Sequence, residues 1–207
     1  MAFPIELASV LTGASVTQLR SWRYRGVLVP EVEGPAPRQR RYSFQDLMAG
    51  RMLAHVRRAA SLQMIRKALA RMPDYAFMDH LSNYRLAVFE DSIWIADEDG
   101  EALDLVKHPG HASLIPMVDI FNEFENFRGD HVVPFLRPRP NLVVSERRRH
   151  GWPTVNKTRV TFNAVANLVD GETVTLEEVG EYFPGVTLDG ARDALSLDAE
   201  IRELRGA

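Results

Sequence analysis

Two short stretches near the N terminus carry the side chains whose types and spacing could do chemistry. Residues 16–24 have the period of an amphipathic helix, and its polar faces carry hydroxyl, amide and guanidinium groups: Thr17, Gln18, Arg20 and Arg23. Residues 38–42 form a basic strand made of Arg38, Gln39, Arg40, Arg41 and Tyr42. Amides and guanidinium groups pair with base edges, and arginines at phosphates release counterions. These stretches therefore indicate an interface for double-stranded DNA.

The charge is distributed unevenly along the chain. The formal net charge is only −3, but residues 1–71 hold 12 Lys or Arg against 4 acids, a balance of +8. The remaining residues hold 13 basic side chains against 24 acids, a balance of −11. Such a division indicates that one part of the chain binds a polyanion and that the other part does not. An accidental imbalance of exposed charge is the simpler alternative.

The sequence gives little support to catalysis or metal binding. It contains no cysteine, which excludes disulfides, thiolate metal sites and cysteine nucleophiles. His108 and His111 flank a Pro-Gly turn, but two ligands without a third make a weak metal site. Glu177 and Glu178 lie at a predicted helix start, where they complement the helix dipole, and a glycine-rich phosphate loop is missing. We therefore expect a protein that is not an enzyme and needs no cofactor.

Composition and the N-terminal residues suggest where the protein works. Hydrophobic residues make up 45% and charged residues 26%, as in ordinary globular proteins. The first residues carry no positive signal-peptide region, and no apolar run approaches the length of a membrane span. We expect a cytoplasmic protein with no membrane partner.

The elements that would position the first stretch are a pair of helices and a tight turn. Apolar spacing predicts a helix over 4–11, a turn at Gly13, and a second helix over 16–24 capped by Ser15. Two further helices are predicted after Ser43 and Ser61. A first helix that fixes the angle of a second, which can then enter the major groove, is the arrangement of a helix-turn-helix.

Residues 5–72 resemble the DNA-binding domain of MerR-family regulators. The similarity lies in the uninterrupted run 13–30, in 40–47 at the end of a wing, and in 61–65 at the start of a fourth helix. The resemblance implies a winged helix-turn-helix whose DNA-binding residues are Ser15, Thr17, Gln18, Arg20, Arg23, Arg38, Arg40, Arg41 and Tyr42. Thr17, Gln18 and Arg20 would face the groove, and the wing residues would hold phosphates. The chain departs from the family after Met72, where no long dimerising helix is predicted.

The central residues, 73–140, are predicted to contain short strands and one helix. The strands span 84–89, 92–96 and 102–106, the last two joined by an Asp99-Gly100 turn. One amphipathic helix is predicted from Leu114, Met117, Val118, Phe121 and Phe124. Pro134, Pro138 and Pro140 then indicate a linker or edge segment. Because no coiled coil is available, we expect this region to join two copies in a homodimer.

Residues 141–201 resemble a small bacterial domain of unassigned function, often encoded beside PIN-like nuclease toxins as their VapB-type antitoxin. It has two strands, expected at 142–144 and 158–160, and three helices. The matching residues are Pro153, Lys157–Val160, Asp170-Gly171, Thr175–Glu178, Tyr182–Pro184, Leu188, and Ala191 to Leu195. The second helix would open with a capping box of Thr175 and Glu178, and Thr187 would cap the third.

The resemblance implies a PIN-like toxin as partner. An arginine inserted among the acidic groups that hold its catalytic metal would silence such a nuclease. The dense basic cluster Arg147, Arg148 and Arg149 is the first candidate, although a solvated turn is an equally good interpretation. Arg202 and Arg205, near the C terminus, are the second candidate.

Together these patterns predict a mainly α fold with small β elements. It would comprise a winged helix-turn-helix over 1–72, a strand and helix connector over 73–140, and a strand pair with three helices over 141–207. The leading hypothesis is an antitoxin that neutralises a PIN-like ribonuclease and represses its own operon by binding operator DNA. The alternatives are a MerR-like regulator that responds to a small molecule and a regulator that binds another protein.

Overall fold

The computed structural model describes residues 2–34, 40–96, 102–113, 119–169, 171 and 173–206. Over these residues the fold is mixed α/β, with seven α-helices and several small antiparallel sheets. The helices are α1 (Ile5–Thr12), α2 (Val16–Tyr24), α3 (Phe44–Val56), α4 (Leu62–Arg71), α5 (Phe162–Leu168), α6 (Val179–Tyr182) and α7 (Leu188–Gly206). The strands are β1 (Val32–Glu33), β2 (Arg40–Arg41), β3 (Arg85–Phe89), β4 (Ser92–Ala96), β5 (Ala102–Asp104), β6 (Ala112–Ser113), β7 (Phe124–Glu125), β8 (His131–Val132), β9 (Leu142–Val143) and β10 (Thr154–Val155).

Serine side chains begin three of the first four helices, as the sequence predicts. The hydroxyls of Ser15, Ser43 and Ser61 each accept a hydrogen bond from the backbone N–H three residues later. At α2 and α3 the bond is returned, since the side chains of Gln18 and Asp46 accept from the N–H of the capping serine. These bonds satisfy backbone donors that a helix start otherwise leaves unpaired. The three caps are therefore confirmed.

The segment between α2 and α3 is a short hairpin. β1 pairs with β2 in antiparallel register, with Val32 opposite Arg41 and Glu33 opposite Arg40. The predicted basic strand thus appears as the two residues of β2. Residues 35–39, which include Arg38, lie outside the described part of the chain.

The central sheet has the strand order β3-β4-β5-β6 and is antiparallel throughout. A two-residue turn joins β3 to β4, and its residues Glu90 and Asp91 have φ of 48° and 54°. Positive φ at both positions matches the twist of a tight hairpin. The three predicted strands are confirmed within one to two residues of their expected ends. The predicted Asp99-Gly100 turn lies outside the described residues.

The predicted amphipathic helix ending at Phe124 is wrong over its described part. Residues 114–118 are outside the description, but Phe121 lies in a turn and Phe124 lies in β7, opposite Val132 of β8. The cause is a competing set of hydrogen bonds. The carbonyls of Ile120 and Asn122 accept bonds from the Arg51 guanidinium of α3.

The second strand predicted in the C-terminal segment, over 158–160, is also wrong. The partner of β9 is β10, at Thr154–Val155, and not residues 158–160. There the Thr158 hydroxyl donates to the Val155 carbonyl and accepts from the Val160 N–H, which forms a local turn in place of a strand.

Only half of the expected capping box of the second C-terminal helix forms, the bond from the Thr175 N–H to Glu178. The backbone N–H and hydroxyl of Thr175 both donate to the Glu178 carboxylate, and α6 begins only after Glu178. The expected cap of the third helix is confirmed, because the Thr187 hydroxyl accepts from the Gly190 N–H.

Buried side chains from all three predicted segments share a hydrophobic core. Leu11, Phe135 and Leu197 are fully buried members of the same cluster. The Trp152 ring stacks with Phe3, at 5.9 Å, and with Phe162, at 6.0 Å between ring centroids. The N-terminal helices and the C-terminal helices therefore pack around common aromatic residues.

Candidate nucleic-acid interface

The turn between α1 and α2 sets the direction of the second helix. Gly13 adopts a left-handed conformation, with φ of 76°, which ends α1. Ala14 is buried, and Ser15 caps α2. A side chain at Gly13 would collide with Val132 of β8. The turn is thus short, packed and dependent on glycine.

The two sides of α2 differ sharply in exposure. Leu19 and Trp22 are 0% and 2% exposed and anchor the helix in the core. The opposite side presents Thr17, Arg20 and Arg23 to solvent, as the sequence predicts. Its outer surface can therefore offer a hydroxyl and two guanidinium groups to a ligand.

Tyr24 extends this surface and was not among the predicted residues. It is 92% exposed and follows Arg20 by four positions, so both lie on one helix face. That spacing is the sequence signal that could have identified it. Ser15 and Gln18 are half-buried, and their side chains are engaged in the cap of α2.

The basic residues of the β1–β2 hairpin are placed differently from one another. Arg40 lies 3.4 Å from Glu33 across the hairpin; the Arg40 side chain is half-buried, with 36% of its surface exposed, whereas Glu33 is 84% exposed. Arg41 is half-buried and donates to the Ala2 carbonyl at 3.4 Å. Tyr42 is 2% exposed and forms an antiparallel bridge with Phe3. The prediction that the Tyr42 side chain holds a phosphate is corrected, because this side chain belongs to the core.

The electrostatics of Tyr42 show which charged groups surround it. Burial, followed by the negative charge of Asp46, raises the pKa of Tyr42 to about 12. The charges of Arg23 and Arg20 act in the opposite direction. The two arginines of α2 are therefore near enough to Tyr42, directly after β2, to act on its hydroxyl.

A buried carboxylate fixes the hairpin to α3. Asp46 is 0% exposed, and its Oδ2 accepts from the backbone N–H groups of Ser43 and Glu31. Its Oδ1 lies 3.5 Å from Nε2 of His80. Asp46 thus ties the entry to β1, the start of α3 and the segment before β3 together.

The C-terminal arginines are mostly engaged within the chain. Arg148 donates to the Asn156 carbonyl, and Nε of Arg149 donates to the Arg159 carbonyl at 3.1 Å. Arg202 pairs with Asp198 in α7, and Arg205 lies 4.0 Å from Glu6 of α1. Arg147 is exposed. The basic cluster therefore lies in a loop in which two backbone carbonyls hold Arg148 and Arg149, while Arg147 and Arg149 remain exposed.

Comparison with solved structures finds a similar overall fold. The chain resembles the X-ray crystal structure of Rv2018 from Mycobacterium tuberculosis, with a TM-score of 0.55 and 18% sequence identity. The match covers 94% of this chain and 96% of that one. No family model matches the chain, and no curated protein matches it. At this identity the likeness concerns the fold alone.

The described residues offer neither a metal cluster nor a membrane-spanning helix. Within the described ranges no group of three or more His, Asp or Glu side chains is placed to hold a metal ion. The backbone N–H of His108 donates to Asp104, and the His111 ring lies edge-on to Trp94. No helix in the same ranges is long and apolar enough to cross a membrane.

Proposed function

We propose that this chain is a DNA-binding regulator that inserts α2 into the major groove of double-stranded DNA, as a winged helix-turn-helix. The observation that carries the proposal is the outer face of α2. Thr17, Arg20 and Tyr24 are exposed along a helix that a tight glycine turn holds against α1. A helix presented in this way offers hydroxyl and guanidinium groups to base edges.

The β1–β2 hairpin would act as the wing that follows the phosphate backbone. Arg40 keeps about a third of its side chain in contact with solvent, and its partner Glu33 is exposed, so the pair is open to water on one side. A pair of this kind contributes roughly 0.2–1 kcal/mol, so a phosphate can replace Glu33 at low cost. Arg41 has less freedom, because it also contacts the Ala2 carbonyl.

The test is a comparison of two arginine variants and a control. A duplex selected for tight binding and a scrambled duplex would each be titrated with four proteins over a range of salt concentrations: wild type, Arg20→Ala, Arg40→Ala and Arg192→Ala. Arg192 lies on α7 and pairs with Asp189, so it serves as an exposed arginine outside the proposed interface. We expect Arg20→Ala to lose preference for the selected duplex by about 1–3 kcal/mol. Arg40→Ala should weaken both duplexes alike and reduce the salt slope by about one.

Binding of all four proteins with equal affinity and equal salt dependence would refute the assignment. Loss of binding in the Arg192 control as well would place the contact elsewhere on the molecule.

We further propose that the regulator is an antitoxin that represses its own operon and neutralises a PIN-like ribonuclease. This rests on the sequence resemblance of residues 141–201 and on the arginine loop in an otherwise acidic half. Arg147 and the outer end of Arg149 are available to acidic groups of a partner, whereas Arg148 holds the Asn156 carbonyl. Arg202 and Arg205 are less favoured, because both have carboxylate neighbours.

The antitoxin proposal predicts a specific loss of inhibition. When the wild-type protein is co-expressed with a PIN-like nuclease encoded beside its gene, the cells should grow. The double variant Arg147→Ala/Arg149→Ala should restore RNA cleavage in the purified complex, and Arg192→Ala should not. Full inhibition by the double variant would refute the arginine mechanism. Absence of a complex between the two wild-type proteins would refute the antitoxin function itself.

We also propose a homodimer joined through residues 75–140. Two copies of α2 must reach half-sites about one helical turn apart on a two-fold symmetric operator. Light scattering by the full chain at micromolar concentration measures this directly. A dimer mass is expected, and a monomer mass both free and on DNA would contradict it.

A further inference from the structure

A groove lies beside the central sheet, at the C-terminal end of α3. Its volume is about 420 Å³, and it is bounded by the end of α3, the strand β3 and the β7–β8 hairpin. Val56, Leu86 and Val88 form an apolar floor. His55, Arg58 and Asn126 add polar groups to the rim. This volume falls in the range of small-molecule sites.

The groove also runs along the free edge of the sheet. The tight turn makes Phe89 and Ser92 a hydrogen-bonded pair, so alternate residues of β3 bond to β4. Val88 lies between those bonded residues, and its backbone N–H and C=O therefore point away from β4. The N–H of Leu86, on the same side, is donated to Sδ of Met52. Val88 thus offers a backbone donor and acceptor at the groove.

Arginine side chains lie at the rim of the groove and beside it. The Arg58 guanidinium lies 3.2 Å from Nε2 of His55, which orients it at the rim. The guanidinium groups of Arg57 and Arg128 lie 4.8 and 5.6 Å from the centre of the Phe127 ring. Three acids lie near these arginines: Glu123, beside the hairpin, Glu125 on the rim and Asp130 in the hairpin turn. Arg58 is the arginine that lines the groove itself, and it is the group placed to meet an anionic ligand.

The imidazole of His55 supports this arrangement as a hydrogen-bond acceptor. Burial lowers the pKa of His55, and the positive charges of Arg58 and Arg51 lower it further. A neutral imidazole can accept at Nε2 from Arg58, which a protonated one cannot.

One residue connects the groove to the turn before α2. Asn126 lines the groove, and its Nδ2 donates to the Gly13 carbonyl at 3.2 Å. The same amide contacts Asp130 at 3.2 Å. Val132, further along the hairpin, packs directly on Gly13. The β7–β8 hairpin is therefore at once a wall of the groove and the support of the α1–α2 turn.

We propose that this groove binds a small organic carboxylate with an apolar body, and that its occupancy controls how α2 is presented. The carboxylate would pair with Arg58 and accept from Asn126, while the apolar body covers Val56 and Val88. An acceptor that takes the Asn126 amide withdraws it from the Gly13 carbonyl and loosens the turn. The ligand therefore lowers DNA affinity, and DNA lowers ligand affinity by the same factor. This regulatory consequence rests on the proposed function, whereas the binding site does not.

The binding test uses simple carboxylates and the full chain without DNA. Benzoate and hexanoate are added to ¹⁵N-labelled protein, with benzamide and hexanol as neutral controls. We expect saturable shifts, with affinities of about 1 mM or better, at the Val88 amide, the Asn126 side chain and the Gly13 amide. The Arg58→Gln variant should lose about tenfold in affinity, and Arg192→Gln should bind as wild type. Circular dichroism verifies that both variants are folded.

The outcomes separate the two proposals. Shifts that are absent up to about 20 mM, equal for the neutral controls, or unchanged in Arg58→Gln overturn the carboxylate site, whether or not the protein binds DNA. Saturable binding at Val88 without any shift at Gly13 overturns the coupling. Saturable binding with a Gly13 shift, in a protein that binds no duplex, sustains the groove and refutes the DNA-binding function instead.

Discussion

Arg51 is the residue on which the packing between α3 and the central segment depends most. It is fully buried, and its guanidinium donates to the carbonyls of Leu11, Ile120, Asn122 and Val133. Its charge lies 5.0 Å from the centre of the Phe124 ring. Burial lowers the pKa of Arg51 to about 10, and the charge of Asp119 opposes that shift. Carbonyl dipoles and aromatic faces thus replace the solvent around this cation.

Replacing Arg51 should destabilise the protein strongly. Arg51→Met keeps similar volume but leaves four carbonyls without their donor, and we expect a loss of about 3–5 kcal/mol in the free energy of unfolding. Arg66→Met, at an exposed position of α4, should change it by less than about 0.5 kcal/mol. Urea denaturation followed by tryptophan fluorescence measures both. Equal stability of the two variants would show that the carbonyls find other donors.

His55 should make stability depend on pH. Its folded-state pKa lies below the ordinary value of 6.5, so the unfolded chain binds more protons near that pH. Stability is therefore complete above the unfolded pKa and decreases as pH falls through it toward the folded pKa. Between about pH 8 and pH 5.5 the free energy of unfolding should fall more in wild type than in His55→Gln. His131→Gln, at an exposed site, should follow wild type. Parallel curves for all three proteins would contradict this assignment.

At the scale of elements, the β7–β8 hairpin and the α1–α2 turn form one unit. Val132 occupies the space beside Gly13, and Asn126 donates to the Gly13 carbonyl. The Leu11 carbonyl, just before Gly13, is also held, because it accepts a hydrogen bond from the Arg51 guanidinium of α3. The orientation of α2 is thus determined by a hairpin that lies more than one hundred residues later in the sequence.

A pair of glycine variants separates backbone strain from this contact. Gly13 and Gly26 have φ of 76° and 68°, so alanine at either position meets the left-handed penalty of about 1 kcal/mol. At Gly26 nothing lies within 4 Å of the added Cβ, whereas at Gly13 it meets Val132. Gly13→Ala should therefore cost about 2–4 kcal/mol and Gly26→Ala about 1 kcal/mol in urea denaturation.

The double variant Gly13→Ala/Val132→Ala tests the contact itself. It should recover part of the loss, with a coupling of at least about 0.5 kcal/mol. Additive effects would show that Val132 does not restrict the turn.

At the scale of the whole molecule, the two ends of the chain stabilise each other. Phe3 and Phe162 both stack with Trp152, and Ile201 and Leu197 of α7 belong to the same core as Leu7. The proposed DNA-binding face and the arginine loop are therefore carried by one continuous core.

Removing residues 141–207 should unfold or strongly destabilise the remainder. The truncation exposes the Phe3 and Leu7 side chains, and each exposed core side chain costs about 1.5–3 kcal/mol. We expect loss of a cooperative thermal transition in circular dichroism. The milder variant Trp152→Ala should lower unfolding free energy by about 3–5 kcal/mol. Retention of a sharp transition near the wild-type temperature by the truncated chain would show that the N-terminal part folds alone.

Local signals in the sequence were enough to predict much of the N-terminal part and the central strands. The caps at Ser15, Ser43 and Ser61 involve groups only three residues apart, so they are visible in the sequence alone. The exposed face of α2, with Thr17 and Arg20, follows from helical periodicity in the same way. In such cases the interacting groups are neighbours along the chain.

Only the tertiary structure decided the remaining features, because their partners are distant in sequence. The helix predicted through Phe124 is replaced by turn and strand where Arg51, 69 residues before Ile120, takes its carbonyl. Tyr42 is buried by its pairing with Phe3 and not exposed as a phosphate ligand. Arg148 is bound to the Asn156 carbonyl, a bond that depends on how the loop folds back on itself. Periodicity records which side of an element is apolar, but it does not record which distant polar group will compete for that element's backbone.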